Sequence, residues 1–425
     1  MLVSELLELE VGAVAAGGAC VGRGPDGRVV FVRHALPGER VRARVTGETA
    51  HYLRADAVEV IQPSPDRVEP PCPYAGPGRC GGCDFQHVAL PVQRRLKAAL
   101  VQEQLRRVAK VERTVQVEPV PGDDQGLRWR TRVQFAVDAS GRAGLRRHRS
   151  HELEPVDRCL IATDAVQAVG AQRLDWSGAS GVEVAADGAQ RVVSVSGRHA
   201  RLPAVDAGVA LDGRPLQAPH GLRHTVLGRS YEVAAGGFWQ VHPGAATALA
   251  RAVLDGLDPR PGESAVDLYA GVGLFAALLG ERVGPHGSVL AVEADARACA
   301  DAARNTADLP QVRIRTAPVD AAAVRRLGRP DLVVLDPPRA GAGIPTTRAL
   351  ATLRPRRLAY VSCDPSSFAR DLRVLLDAGW ALGGLRAFDL YPMTEHVELV
   401  ALLDPPRQFG RPAGFTSARD APKQA

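Results

Sequence analysis

The chain has 425 residues, too many for one ordinary domain, and 45% of them are apolar, as in a packed globular protein. It has no apolar run of 18 residues, which excludes a transmembrane helix, and Met1-Leu2-Val3-Ser4-Glu5 lacks the basic start of a secretory signal, so a cytoplasmic protein is expected. The net charge is +6, but residues 90–150 alone carry 14 Lys and Arg against 6 Asp and Glu, which points to a nucleic-acid-facing surface.

Residues 1–61 read as short alternating strands at 7–11, 29–32, 41–45 and 57–61. Gly17-Gly18, Gly24-Pro25-Asp26-Gly27 and Pro37-Gly38 separate them. This pattern predicts a small OB-like barrel, a fold that often binds oligonucleotides. A proline-rich linker opens a central unit expected over 62–242. Its cysteines at 72–83 precede a helix expected over 91–110, then a strand-rich stretch over 127–235. Arg128, Arg130, Arg132, Arg142, Arg146, Arg147 and Arg149 form the dense part of the basic region, and arginine suits phosphate contact and base stacking.

From 243 to 405 helical and strand patterns alternate, which predicts a doubly wound α/β domain. Strands are expected at 264–268, 288–293, 312–315, 332–336 and 358–362, and helices at 245–257, 273–279 and 297–305. Residues 406–425, rich in Pro, Gly and Arg, are expected to form a disordered tail.

Three expected strand ends carry chemistry, and in a parallel sheet they would share one ligand-binding edge. The first runs into Asp267-Leu268-Tyr269-Ala270-Gly271-Val272-Gly273, where Gly271 and Gly273 let a ligand approach the backbone. The next ends at Glu293, which can accept both hydroxyls of a ribose. A glycine turn plus this acid suits S-adenosylmethionine or a dinucleotide, so a dinucleotide-dependent oxidoreductase is a rival reading. Asp267 and the rigid turn Asp336-Pro337-Pro338-Arg339 favour S-adenosylmethionine.

Cys363, in Val361-Ser362-Cys363-Asp364-Pro365, ends a further strand. A buried cysteine at a strand end is commonly packing alone. Beside a methyl donor, however, a thiolate can add to C6 of a pyrimidine and make C5 nucleophilic. A base must then remove the C5 proton, and Glu398 in His396-Val397-Glu398 is the candidate. Cys72, Cys80, Cys83 and Cys159 lie among turn residues and suit an iron–sulfur cluster or a four-cysteine zinc, or remain free thiols. Cys20 and Cys299 read as structural.

Together these motifs resemble the RNA uracil-C5 methyltransferase family, which makes 5-methyluridine. The resemblance covers most of the chain. Phe31-Val32-Arg33-His34-Ala35-Leu36-Pro37-Gly38-Glu39-Arg40-Val41 looks like part of a TRAM domain. The implied fold is a Rossmann-like class I methyltransferase domain behind that barrel and a mixed central domain. The resemblance implies S-adenosylmethionine contacts at Gln240, Tyr269, Glu293 and Asp336, with Asp320 a further adenosine contact. It makes Phe238 the aromatic that holds a flipped base, Cys363 the nucleophile and Glu398 the general base. The cysteine set resembles the [4Fe–4S] site of the ribosomal-RNA branch, so ribosomal RNA is expected over transfer RNA, with no protein partner and a monomer.

Ala270, Leu274, His242 and Asp364 depart from the family pattern. A charged Asp364 beside the thiol would oppose thiolate formation, so its side chain is expected to point away or to be hydrogen-bonded. Two further rivals are a non-catalytic RNA-binding iron–sulfur protein and methyl transfer to an exocyclic amine. The second leaves Cys363 without a role.

Overall fold

A computed structural model of the chain describes residues 6–406, so the expected disordered tail and the N-terminal segment read for a signal lie outside the described residues, apart from residue 406. Five strands open the fold: β1 (Leu6–Glu10), β2 (Cys20–Arg23), β3 (Val29–Arg33), β4 (Arg40–Glu48) and β5 (Tyr52–Gln62). They lie in the order β1-β4-β5-β3-β2. The Gly12 amide bonds the Val21 carbonyl at 2.8 Å and the Val21 amide bonds the Ala13 carbonyl at 3.0 Å. These bonds join the two edges into a barrel and satisfy the edge strands. The reading of the sequence missed β2, whose four residues include a glycine.

The helix expected over 91–110 is α1 (Leu90–Gln104), which continues as a wider π turn over Leu105–Ala109. Ala98, Val101 and Leu105 do not pack on the central sheet. They join the core beneath the C-terminal sheet, together with Val117 of β6 (Val117–Pro119). Residues 90–119, expected within the central unit, therefore serve the C-terminal sheet.

The central sheet has seven strands: β7 (Arg132–Val137), β8 (Ala143–Arg146), β9 (Leu153–Glu154), β10 (Gly181–Asp187), β11 (Gln190–Ser196), β12 (Gly208–Leu211) and β13 (Arg214–Gln217). The short α2 (Asp164–Ala168) packs on it, and the hairpin β14 (Gly221–Val226) and β15 (Arg229–Ala234) follows.

The remaining elements are α3 (Ala245–Leu257), β16 (Ser264–Leu268), α4 (Leu274–Val283), β17 (Ser288–Glu293), α5 (Ala296–Asn305), β18 (Val312–Thr316), α6 (Ala321–Arg325), β19 (Leu332–Leu335), α7 (Ile344–Leu353), β20 (Arg357–Ser362), α8 (Pro365–Asp377), β21 (Ala381–Asp389) and β22 (Glu398–Asp404). Their sheet runs β18-β17-β16-β19-β20-β22-β21-β6. The first five strands are parallel, and β22 is antiparallel to both neighbours. All four residues of β19 are buried, as expected of a parallel strand covered on both faces. This is a doubly wound α/β domain behind a five-stranded barrel.

Candidate active site

The register of the sheet decides which side chains meet. Leu268 pairs with Leu335 and Leu335 with Tyr360, so the chain leaves β16, β19 and β20 at one edge. Tyr269, Asp336 and Cys363 stand at those exits. The antiparallel β22 then brings a fourth group. Ser362 pairs with Leu399, and one further step sets Cys363 opposite Glu398, the first residue of β22.

The Cys363 thiol and the Asp336 and Glu398 carboxyls thus crowd together, and the charge of each carboxylate opposes ionisation of its neighbours. Burial pushes the Cys363 thiol up to about 11, helped by the charges of Glu398 and Asp336 and opposed by the Arg339 guanidinium. Burial also raises Asp336. Glu398 lies well above the usual carboxylate range because of burial and the charge of Asp336. Arg339 donates to His396 Nε2 at 2.7 Å. The Tyr391 hydroxyl donates to Glu398 Oε2 at 3.1 Å. Asp364 does not face this cluster as a free charge: it caps α8, accepting the Ser367 amide at 2.7 Å.

On the other side lies the glycine turn. Gly271 has φ 54°, and nothing stands within 4 Å of the place a Cβ would take, so there is room for a ligand. At Gly273, φ 86°, a Cβ would meet Ala302 of α5 at 3.3 Å. Glu293 is oriented by three amides, with Oε2 on Gly271 at 2.9 Å and Oε1 on Ala294 and Asp295 at 2.7 and 2.8 Å. Asp267 Oδ2 accepts the Ala276 amide at 2.8 Å, while its buried Oδ1 has no partner within the protein. Burial holds this carboxyl well above its usual range. Room beside Gly271, a fixed carboxylate and an open polar atom fit a ribose-bearing ligand such as S-adenosylmethionine.

Tyr269 takes a left-handed φ of 61° and donates its hydroxyl to the Val319 carbonyl at 3.3 Å. Asp320 caps α6, accepting the Ala323 amide at 2.7 Å, so one of its oxygens is already engaged. Gln240 is buried, whereas Phe238, two residues before it, is 71% exposed. Trp239 between them stacks on His224 at 4.5 Å. Of the departures from the family pattern, Ala270 and Leu274 are buried in the main core, and His242 stacks on Trp129 at 5.9 Å.

Cys72, Cys80, Cys83 and Cys159 line one pocket of ≈ 330 Å³ with Arg130, Arg146 and Arg158. Gln86 donates to Cys83 Sγ at 3.4 Å. Burial raises the thiols of Cys80, Cys83 and Cys159. No group of three or more His, Cys, Asp or Glu among the described residues is arranged to hold one metal ion. Cys20 and Cys299 are buried elsewhere, as expected, with Cys20 Sγ on the Ala35 carbonyl at 3.3 Å.

The basic region is less free than its composition suggests. Arg132 is buried against Glu183 at 2.9 Å, Arg147 pairs with Glu152 and Glu154, and Arg142 pairs with Asp138. Arg149 instead joins Arg54, with Phe31 and Tyr52, in a groove of ≈ 760 Å³ between the barrel and the central sheet, where Arg33 is paired with Asp56 and Asp84. The sequence reading did not single out Tyr391 or Lys97, and it treated Arg339 only as part of a turn.

The TRAM domain family matches residues 2–58. An uncharacterized RNA methyltransferase of Streptomyces coelicolor is 51% identical, covering 95% of this chain and 94% of the relative. The 23S rRNA (uracil(1939)-C(5))-methyltransferase RlmD of Shewanella amazonensis is 32% identical, covering 89% of this chain and 91% of that one. The Pyrococcus abyssi tRNA (uracil-54, C5)-methyltransferase, solved with S-adenosyl-L-homocysteine, has the same fold, with TM-score 0.69 and 21% identity over 93% of this chain and 99% of that chain. Fold and site define an S-adenosylmethionine-dependent class I methyltransferase. The chain belongs to the RNA uracil-C5 methyltransferase family, which sets aside the oxidoreductase reading. Among the described residues no helix is long and apolar enough to cross a membrane.

Proposed function

We propose that this protein transfers a methyl group from S-adenosylmethionine to C5 of a uridine in RNA, through a covalent bond between Cys363 and C6. The observation that carries this reading is the register of β20 and β22, which sets Cys363 opposite Glu398 at the edge that also holds the glycine turn.

Bound S-adenosylmethionine supplies an electrophilic methyl group. Gln240, Tyr269, Gly271, Gly273, Glu293, Asp320 and Asp336 are the residues proposed to hold it, Glu293 through the ribose. Cys363 gives its proton to solvent water and its sulfur bonds C6, moving the C5–C6 π electrons toward C5 and O4. C5 then takes the methyl group, and the departing sulfur keeps the bonding pair as S-adenosylhomocysteine. Glu398 takes the C5 proton, the C5–C6 double bond re-forms, and the Cys363 thiolate leaves. A carboxyl raised by burial is a stronger base for that proton than a solvated one.

The base must leave its stack to reach the thiol. The exposed ring of Phe238 is suited to hold it, and the groove with Phe31, Tyr52, Arg54 and Arg149 suits single-stranded RNA by stacking and charge. Ribosomal RNA is the preferred substrate class, in line with the RlmD relative, and the protein is proposed to act in the cytoplasm as a monomer.

Cys72, Cys80, Cys83 and Cys159 are proposed to hold a [4Fe–4S] cluster. The four cysteines line one pocket, and four thiolates are the donor set that such a cluster would take.

The test is to incubate the protein with S-adenosylmethionine and unmodified ribosomal or transfer RNA, then map 5-methyluridine by mass spectrometry. One modified uridine in ribosomal RNA supports the reading in full. Methyl groups found only on exocyclic amines would refute it.

A further inference from the structure

Tyr391 is fixed at its backbone, its ring and its hydroxyl. Its carbonyl accepts from Lys97 Nζ at 2.9 Å, and Lys97, fully buried, is paired with Asp389 at 2.6 Å. Its ring meets Trp129 edge-on at 6.2 Å and His396 at 6.0 Å. Trp129 itself packs in the small core that includes Cys83, Cys159 and Met393. The Tyr391 hydroxyl donates to Glu398 Oε2, 3.1 Å away.

We propose that Tyr391 is the positioning residue of the general base: its hydroxyl holds one oxygen of Glu398 so that the other faces the C5 proton. The inference rests on the role given to Glu398 above. A buried carboxylate with a free torsion could turn either oxygen away from the substrate. A donor on a rigid ring removes that freedom before the reaction begins. The same bond favours the ionised form of Glu398, against burial and the charge of Asp336. The Lys97–Asp389 pair reaches the base through this tyrosine, because it anchors the segment that carries it.

The test compares the wild type, Tyr391→Phe and Glu398→Gln with one RNA substrate and S-adenosylmethionine. Covalent protein–RNA adduct is read on denaturing gels, and product release is followed against pH. Tyr391→Phe removes only the hydroxyl and leaves the ring contacts, so it should fold and show an unchanged thermal shift with S-adenosylhomocysteine. Product release should slow by about tenfold or more, the scale of a hydrogen bond to a charged group. Adduct should accumulate, and the ascending limb of the pH profile should move up. That direction follows because a base that loses a bond favouring its anion holds its proton to higher pH.

Wild-type release with an unmoved pH profile would overturn the proposal. A uniform loss of binding and activity with no adduct and no pH shift would mark a merely structural residue and overturn it too. If Glu398→Gln traps no adduct, the assignment of the base falls, and this inference with it. If Glu398→Gln traps adduct and Tyr391→Phe does not, only the role of Tyr391 falls.

Discussion

Asp364 Oδ1 accepts the Ser367 amide at 2.7 Å and so caps the helix that begins beside Cys363. A carboxylate next to the proposed nucleophile thus serves the backbone. What holds the thiol neutral is its burial, with Glu398 and Asp336. Asp364→Ala should cost about 1 kcal/mol, as loss of an N-cap usually does, whereas Asp364→Asn should cost little. Urea denaturation measures both. Neither should change the pH dependence of Cys363 alkylation, and a clear downward shift in Asp364→Asn would contradict this account.

The thiol itself gives a second prediction. With its pKa pushed up to about 11, Cys363 is mostly neutral below that pH, so its alkylation in the free protein should keep rising as pH approaches that value. Where Glu398 is ionised, Glu398→Gln removes a nearby negative charge and should speed alkylation. Arg339→Met removes the cation that favours the thiolate and should slow it. Peptide mass spectrometry after iodoacetamide separates Cys363 from the other six cysteines.

The parallel strands were legible in the sequence because buried strands are continuous apolar runs, as in Leu332–Leu335. The turns at Gly271, Asp336 and Cys363 follow such runs and could be placed on one edge. Glu398 could be named as the candidate base from His396-Val397-Glu398, but its place opposite Cys363 could not. Its approach to Cys363 depends on the antiparallel pairing of β22 with β20, which no local pattern encodes. The three residues of β6 lie in a basic stretch without alternation, so their place at the far edge of the C-terminal sheet was hidden. The pairing of several of these arginines was hidden because partners such as Glu183 for Arg132 lie on neighbouring strands, distant in sequence.

The Lys97–Asp389 pair joins α1 to the end of β21 with both side chains fully buried, and Arg94 adds a second contact to Asp389 at 3.1 Å. Lys97→Met should destabilise the protein by about 3 kcal/mol, because it leaves the buried Asp389 charge with only the part-exposed Arg94 as partner. The shift in denaturation midpoint measures it. A change below about 0.5 kcal/mol, the range of ordinary surface substitutions, would contradict the pairing.

Glu293 is held by three amides and, on this account, reads the ribose of the methyl donor. Wild-type protein should therefore gain thermal stability with S-adenosylhomocysteine, by mass action. Glu293→Ala should lose most of that gain, and an equal gain in the variant would place the ligand elsewhere.

For the cysteine pocket, protein purified without oxygen should carry about four irons per chain and absorb broadly in the visible range. Cys159→Ala should lose both signals. Cys20→Ala should keep them, because Cys20 is buried in the barrel on the Ala35 carbonyl. Stoichiometric zinc without iron would contradict the cluster.

The central claim is that Cys363 bonds C6 of the target uridine and that Glu398 releases it. Substrate RNA, S-adenosylmethionine and the Glu398→Gln protein should give a denaturation-resistant adduct carrying the transferred methyl group, joined through Cys363 by peptide mapping. Cys363→Ala should give neither adduct nor 5-methyluridine. Undiminished methyl transfer by Cys363→Ala would contradict the claim.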